Sequence, residues 1–138
     1  MILLVRHARA GHHGSHADDR LRPLDEKGRQ QAEVLVGLLA DRPLERILTS
    51  PFLRCVETVV PLARATGLEP ELRDELAEGA PASAARRLIA ELGGQEAVLC
   101  SHGDVIGELI GQGRPAKKGS VWLLDPADGL EPRGYMVP

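Results

Sequence analysis

The chain has 138 residues, of which 43% are hydrophobic, 27% are charged and only 2% are aromatic, and its formal net charge is −3. This length and balance predict one globular domain, 1–138, and argue against a disordered tail. The scarcity of aromatic side chains and the negative charge disfavour nucleic-acid binding. No apolar run approaches the ~20 residues that span a bilayer, and the apolar start is too short for a signal peptide, so we expect a cytoplasmic protein without membrane association.

The first half of the chain alternates short apolar runs with helical patterns. The apolar run at the start is typical of a strand buried on both faces, and the polar stretch after it is punctuated by glycine and proline, as in a functional loop. The predicted elements are a strand at 2–6, a loop at 8–24, a helix from Asp25 to about residue 41, a strand at 45–49, and a helix with Pro51 in its first turn that ends at Gly67.

The second half continues the same alternation. Its predicted elements are an extended piece at 69–72, an irregular stretch at 73–82, a helix from 83 or 84 to 92, a strand at 97–101, a helix after 103, and closing strands at 121–124 and 135–137 joined by a turn at 128–129. Strands that alternate with helices predict an α/β domain with a mainly parallel central sheet. In such sheets the active site lies beyond the carboxyl ends of the strands.

Two histidines and two arginines follow these strand ends. Arg6 and His7 end the first strand, and His102 follows the strand at 97–101. Arg54 falls in the first turn of the helix after the second strand, at the same edge of the sheet. A lone histidine there would more often be structural. Because four such groups in one cleft repel one another when it is empty, the set predicts a site for a multiply charged anion such as phosphate.

The charges are distributed unevenly along the chain. Residues 6–29 hold six basic side chains against four acidic ones, whereas residues 69–96 hold seven acids against three bases. Lys117 and Lys118 lie in a segment without acids, where they either rim the site or form a solvated basic turn. A positive pocket on an acidic protein suits a small anionic substrate.

Four motifs, in order along nearly the whole chain, together resemble the histidine phosphatase (phosphoglycerate mutase-like) superfamily. They are Arg-His-Ala at 6–8, where the family has Arg-His-Gly, the helix entry at 22–32, the second-arginine motif at 49–58, and Ser-His-Gly at 101–103. The opening Arg-His-Ala-Arg-Ala is similar to that of the SixA-type phosphohistidine phosphatase branch. Residues 117–124 resemble the phosphatase domain fused to some Nudix hydrolases, although this chain contains no Nudix domain.

The resemblance implies a three-layer sandwich with a phosphoglycerate mutase-like fold and a phosphatase activity toward a phosphomonoester or a phosphohistidine. It implies that His7 attacks phosphorus and carries the phosphoryl group as phosphohistidine. Arg6, Arg54 and His102 would bind the phosphoryl oxygen atoms and offset their charge. Because these cationic groups supply the electrostatics, neither a metal nor a cofactor is expected.

The proton donor and the contacts to the rest of the substrate depend on weaker signals. Glu78 stands in the Leu-x-Glu context in which the family places its acid, and Glu75 is the second choice. An acid role requires partial desolvation near the arginines, and branches without a clear acid act on phosphohistidine. Arg9 and Arg22 are candidates to bind the distal part of the substrate, although surface exposure is the commoner fate of arginine.

The remaining histidines and cysteines have simpler interpretations. His12, His13 and His16 lie in a polar loop without a partner carboxylate or thiolate at helical spacing, which favours a substrate-facing or solvated loop over a zinc site. Cys55 and Cys100 are interpreted as small buried hydrophobic residues in a reducing compartment.

Two other functions stay open at the level of sequence. The domain could be a non-catalytic phosphate-binding module, because alanine replaces the motif glycine at residue 8 and the acid is uncertain. A phosphoglycerate mutase-type phosphotransferase is disfavoured because the chain lacks the insertions usual in those enzymes. Within the phosphatase interpretation, the substrate is a small phosphorylated molecule, such as a nucleoside diphosphate or a sugar phosphate, or a phosphohistidine protein. The oligomeric state cannot be read from the sequence.

Overall fold

The computed structural model describes all residues, 1–138. The six strands are β1 (Ile2–Arg6), β2 (Arg46–Thr49), β3 (Pro70–Leu72), β4 (Ala97–Ser101), β5 (Val121–Asp125) and β6 (Glu131–Met136). The four helices are α1 (Glu26–Leu39), α2 (Leu53–Thr66), α3 (Ala82–Glu91) and α4 (Gly103–Ile110). Short 3-10 helices lie at Asp19–Leu21, Asp74–Leu76 and Pro126–Asp128.

All six strands belong to one sheet, in the order β3-β2-β4-β1-β5-β6. The pairs β2–β3, β2–β4 and β1–β4 are parallel, whereas β5 and β6 are antiparallel to their neighbours. Arg6 and Ser101 are register partners. His7 and His102 therefore leave neighbouring strands at the same edge of the sheet. The prediction of a mainly parallel α/β sheet is confirmed.

The side chains of the central strands alternate between two hydrophobic cores. On one face, Leu3 and Val5 of β1 pack with residues of α1 and α2. On the other face, Ile2 and Leu4 pack with residues of α3 and α4. Successive side chains of a strand point to opposite faces, so an unbroken apolar run requires helices on both sides. The result is the expected three-layer sandwich.

Helix α1 is capped and positioned by residues next to the candidate site. The Asp25 side chain accepts a hydrogen bond from the Gly28 N–H at 2.8 Å, as the N-cap prediction requires. A Cβ atom on Gly28 would overlap the carbonyl oxygen of Arg9. Glycine at this position therefore lets the helix approach the backbone that follows β1.

Two predicted boundaries were wrong. Pro51 lies outside α2, which begins at Leu53, because the Phe52 N–H donates to Ser50 Oγ at 3.2 Å and Phe52 stays extended. The last strand is β6 (Glu131–Met136) rather than 135–137. This strand is rich in polar residues, so no hydrophobicity pattern indicates it. Its backbone pairing with β5 at the edge of the sheet defines it. None of the helices is long and apolar enough to cross a membrane.

Candidate active site

A cleft of about 570 Å³ opens where β1 ends. Ala10 is the single hydrophobic residue of its lining. Five cationic side chains and two carboxylates face the cleft, so its lining carries a formal excess of three positive charges, although the chain as a whole is at −3. The lining residues are Arg6, His7, Arg9, Ala10, Gly11, His12, His13, Arg22, Asp25, Arg54, Glu78 and Lys118.

His7 is buried at the end of β1 and is held in one tautomer. Its Nδ1 lies 2.8 Å from the carbonyl oxygen of Ala8. Because a carbonyl oxygen only accepts, Nδ1 carries the proton and the lone pair of the neutral ring is on Nε2. The pKa of His7 is lowered from 6.5 to about 3, chiefly by burial and in smaller part by the charges of His102, Arg54 and Arg6, while the hydrogen bond to the Ala8 carbonyl opposes the shift. The ring is therefore neutral at pH 7 and able to act as a nucleophile.

Arg6 extends across the start of α4. Its Nη1 donates to the carbonyl oxygen of Ala116 at 2.6 Å. A Cβ atom on Gly103 would lie 3.2 Å from the Arg6 Cζ atom. The glycine of the Ser-His-Gly motif therefore leaves space for the guanidinium group, a relationship between the two motifs that the sequence alone does not reveal.

Arg54 is almost fully buried, at 1% exposure, in the first turn of α2. Its Nη1 donates to the Asp19 carbonyl oxygen at 2.9 Å. Its Nη2 lies 3.2 Å from Asp19 Oδ2 and 3.4 Å from Glu78 Oε2. Asp19, which sequence reasoning did not select, thus fixes the guanidinium from the loop 8–24. The sequence marks Asp19 only as an acidic residue in a loop near basic motifs.

His102 is buried next to His7. The centroids of the two rings are 5.3 Å apart in an edge-to-face arrangement. The Nε2 atom of His102 shares a hydrogen bond with Ser50 Oγ at 2.9 Å and lies 3.5 Å from Cys55 Sγ. Ser50 is a further residue that the sequence analysis missed, although it belongs to the second-arginine motif. His102 is not among the residues that line the cleft, and it reaches the site through its contact with His7.

Three buried nitrogen atoms of this group have no hydrogen-bond partner in the protein. They are Arg6 Nε, Arg54 Nε and His102 Nδ1. A buried polar atom without a partner costs about 1–3 kcal/mol. Three such atoms around His7 therefore make a site that an oxyanion with several acceptor oxygens would stabilise.

The backbone at Ala8 accommodates alanine where the family motif has glycine. Ala8 is fully buried against Leu24 and Ala32, and it does not adopt a positive φ. Its N–H donates to Thr58 Oγ1 at 2.8 Å, and the Thr58 hydroxyl donates to the Arg54 carbonyl oxygen at 2.7 Å. Thr58 thus joins the end of β1 to the first turn of α2.

The structure separates the two candidate acids. Glu78 lines the cleft and contacts Arg54. Its side chain is 50% exposed, so the desolvation expected for a proton donor is only partial. Glu75 lies outside the cleft and is bound by Arg73 at 2.6 Å, a hydrogen bond that lowers the pKa of Glu75. The geometry therefore places Glu78, and not Glu75, in the cleft that His7 also lines.

The remaining candidate residues divide between the cleft and the surface. Arg9 and Arg22 both line the cleft, and Arg22 is buried rather than exposed. His12 and His13 also line it, whereas His16 lies outside and its ring is next to Ser15. The His, Cys, Asp and Glu side chains form no group of three or more placed to hold a metal ion.

The two cysteines and two lysines have distinct positions. Cys55 and Cys100 are both free and buried, as expected for small core residues. Lys118 lines the cleft, whereas Lys117 is exposed outside it.

Comparison with known proteins decides the family. The family model for the histidine phosphatase superfamily (branch 1) matches residues 2–80, more than half of the chain. The chain belongs to the histidine phosphatase superfamily. An 8-oxo-(d)GTP phosphatase of Mycolicibacterium smegmatis is 37% identical over an alignment 155 positions long, which covers 99% of this chain and 48% of that protein. This histidine phosphatase chain therefore spans about half the length of that curated relative.

Solved structures share the fold of this histidine phosphatase chain. A SixA protein from Agrobacterium tumefaciens is 26% identical with a TM-score of 0.83, covering 99% of this chain and 97% of that one. The protein histidine phosphatase SixA in complex with tungstate has a TM-score of 0.83 at 24% identity, with coverages of 99% and 96%. A mycobacterial glucosyl-3-phosphoglycerate phosphatase has a TM-score of 0.67 at 22% identity, with coverages of 88% and 87%. The family match and these structures agree on the histidine phosphatase fold.

Proposed function

We propose that this chain is a metal-independent phosphatase that hydrolyses a phosphomonoester or a phosphohistidine through a phosphohistidine intermediate on His7. The observation that carries the proposal is the neutral His7 ring, with its Nε2 lone pair free, beside the buried unpartnered nitrogens of Arg6, Arg54 and His102. A nucleophile and oxyanion-binding groups held together in this way are what phosphoryl transfer requires.

The reaction has two displacements. In the first, His7 Nε2 forms a bond to phosphorus, and the bond from phosphorus to the leaving group breaks with its electron pair. Glu78 donates a proton to that leaving group. In the second, a water molecule attacks phosphorus and gives a proton to the Glu78 carboxylate, the P–Nε2 bond breaks with its electron pair returning to Nε2, and phosphate departs with neutral His7 and protonated Glu78 restored. Arg6, Arg54 and His102 Nδ1 contact the phosphoryl oxygens during both steps.

A phosphodonor labelling experiment tests the nucleophile. We expect the wild-type protein to acquire an acid-labile phosphoryl label and the His7→Ala protein to acquire none. Equal labelling of the two proteins would contradict the role of His7. Hydrolysis of an aryl phosphate in the presence of a chelator tests the metal independence, and activity that vanishes with chelator would contradict it.

The acid role of Glu78 is tested by the dependence on the leaving group. General acid catalysis contributes ~10²–10⁴ in rate when the leaving group needs a proton. We expect the Glu78→Gln protein to lose that much on an alkyl phosphate and far less on an activated aryl phosphate. Glu75→Gln is the matched control, since it removes the same charge outside the cleft. Equal losses on both substrates would assign Glu78 to binding or structure.

A non-catalytic phosphate-binding module is the remaining alternative. It predicts orthophosphate binding without turnover of any substrate in a panel of phosphorylated metabolites, nucleotides and a phosphohistidine peptide. Because the M. smegmatis relative is an 8-oxo-(d)GTP phosphatase, the panel includes oxidised guanine nucleotides. We also infer that residues 1–138 form one domain, because both hydrophobic cores share the same sheet. Cytoplasmic location stays a prediction from the sequence.

A further inference from the structure

The two arginines of the phosphoryl site are held in different ways. Arg54 contacts both the carbonyl oxygen and the carboxylate of Asp19, and it also contacts Glu78. The guanidinium group of Arg6 has one hydrogen bond within the protein, from Nη1 to the carbonyl oxygen of Ala116 at 2.6 Å, and its Nε atom has no partner. The orientation of Arg6 therefore depends on the position of a single carbonyl group.

That carbonyl group lies in an irregular segment. Residues 115–117 belong to the connection between α4 and β5 and form neither helix nor strand. The backbone of Ala116 makes no hydrogen bond with another backbone group. Secondary structure therefore does not fix the group that Arg6 contacts, and the contacts of the two neighbouring residues decide its position.

Two aromatic side chains hold the residues on either side of Ala116. The Nε1–H group of Trp122 donates to the carbonyl oxygen of Pro115 at 2.8 Å. The N–H group of Lys117 donates to the hydroxyl oxygen of Tyr135 at 2.9 Å. Ala116 thus lies between two residues that are bound by side chains of the last two strands.

The two aromatic rings form one packed pair on the sheet. Trp122 in β5 and Tyr135 in β6 are register partners, and their ring centroids are 4.5 Å apart. Trp122 is buried in the hydrophobic core that α3 and α4 cover, and Tyr135 packs against that core. Aromatic pairs across neighbouring strands stabilise each other's position. Because β5 also pairs with β1, the sheet carries both Arg6 and the pair that faces its carbonyl partner.

We infer that Trp122 and Tyr135 are positioning residues of the phosphoryl site. By holding residues 115–117, they keep the Ala116 carbonyl group where it binds Arg6 Nη1 and leaves Nε for the phosphoryl oxygen atoms. The inference rests on the proposed function, which assigns Arg6 to those oxygen atoms. Donors that are oriented before the reaction need no rearrangement when the charge develops, so a loosened Arg6 weakens both binding and turnover.

Two variants remove these hydrogen bonds and keep an aromatic ring. They are Trp122→Phe and Tyr135→Phe. Because Pro115 and Lys117 are exposed, water replaces the lost partner, and we expect the chain to fold with a looser segment 115–117. We expect each variant to weaken orthophosphate binding by about fivefold, the factor of one hydrogen bond, and to lower kcat/KM for an aryl phosphate by at least about as much. Wild-type affinity and kcat/KM in both variants would overturn the inference.

A matched control separates positioning from a loss of stability. Leu124→Val removes one methylene group from the same strand and the same core, and it removes no hydrogen bond to residues 115–117. We expect it to lower the resistance to urea and to leave orthophosphate affinity unchanged. A loss of affinity in Leu124→Val equal to that in Trp122→Phe would assign the effect to stability and overturn the inference.

A double-variant comparison tests whether the pair acts through Arg6. In the Arg6→Gln protein there is no guanidinium group to orient, so the further change Tyr135→Phe should leave the remaining orthophosphate affinity unchanged. A further fivefold loss in that background would show that Tyr135 acts independently of Arg6, which would overturn the inference.

Calorimetry with orthophosphate on the whole chain separates this inference from the proposed function, because it needs no turnover. A wild-type protein that binds orthophosphate but hydrolyses no aryl phosphate, and whose Tyr135→Phe variant binds more weakly, would refute the proposed function and support the positioning role. A wild-type protein that hydrolyses aryl phosphate, and whose two variants bind and react like it, would support the proposed function and refute the positioning role.

Discussion

Replacing His7 with glutamine is expected to make the protein less sensitive to acid. The buried ring has a pKa of about 3 in the folded protein, against 6.5 for an ordinary histidine, chiefly because burial disfavours its charged form. In acid the unfolded chain therefore binds a proton that the folded protein does not accept. The contribution of the neutral His7 ring to the free energy of unfolding is fully present above the unfolded pKa of 6.5. It is lost as the pH falls from 6.5 toward 3.

The size of the effect follows from the same two values. Each pH unit between them changes the free energy of unfolding by about 1.4 kcal/mol, so a decrease from about pH 7 to about pH 4 removes about 3 kcal/mol. The His7→Gln protein lacks this contribution, and all other titrating groups cancel in the comparison. We expect its free energy of unfolding to fall by about 3 kcal/mol less than that of the wild-type protein.

Urea unfolding, followed by circular dichroism at the two pH values, measures the difference. His12→Gln is the control, because it removes an exposed histidine by the same substitution and should keep the wild-type pH dependence. An identical pH dependence in the wild-type and His7→Gln proteins would show that folding does not lower the pKa of His7 and would contradict this reasoning.

Three further predictions concern the groups that position the site. Gly28→Ala should lower the free energy of unfolding, measured with urea, by about 3 kcal/mol or more, because the new Cβ atom overlaps a backbone carbonyl. In the same helix, a Cβ atom at Gly37 contacts no other atom, so Gly37→Ala should raise the free energy of unfolding by about 0.5–1 kcal/mol. Thr58→Val should cost about 1–3 kcal/mol in the same assay, because the buried Ala8 N–H loses its hydrogen-bond partner. Ser50→Ala should lower kcat for an aryl phosphate by roughly tenfold through loss of the hydrogen bond to His102, and an unchanged kcat would contradict that role.

The sequence alone determined the layers of the fold and the edge of the sheet that holds the site. Strands β1 and β4 are continuous apolar runs, and such runs are stable only when helices cover both faces. Because the carboxyl ends of parallel strands share one edge, the residues that follow these strands had to meet. Arg6, His7 and Arg54 could therefore be brought together from their places in the chain, and His102 with them.

The tertiary structure alone decided which groups complete that site. Asp19 and Ser50 are ordinary polar residues in the sequence, and they matter because folding sets them against Arg54 and His102. Glu78 was distinguished from Glu75 only by where a short irregular segment directs each carboxylate. Hydrogen bonds between residues far apart in the chain have no periodicity or local propensity, so no sequence pattern records them. Their geometry depends on how the packed layers bring the loops together.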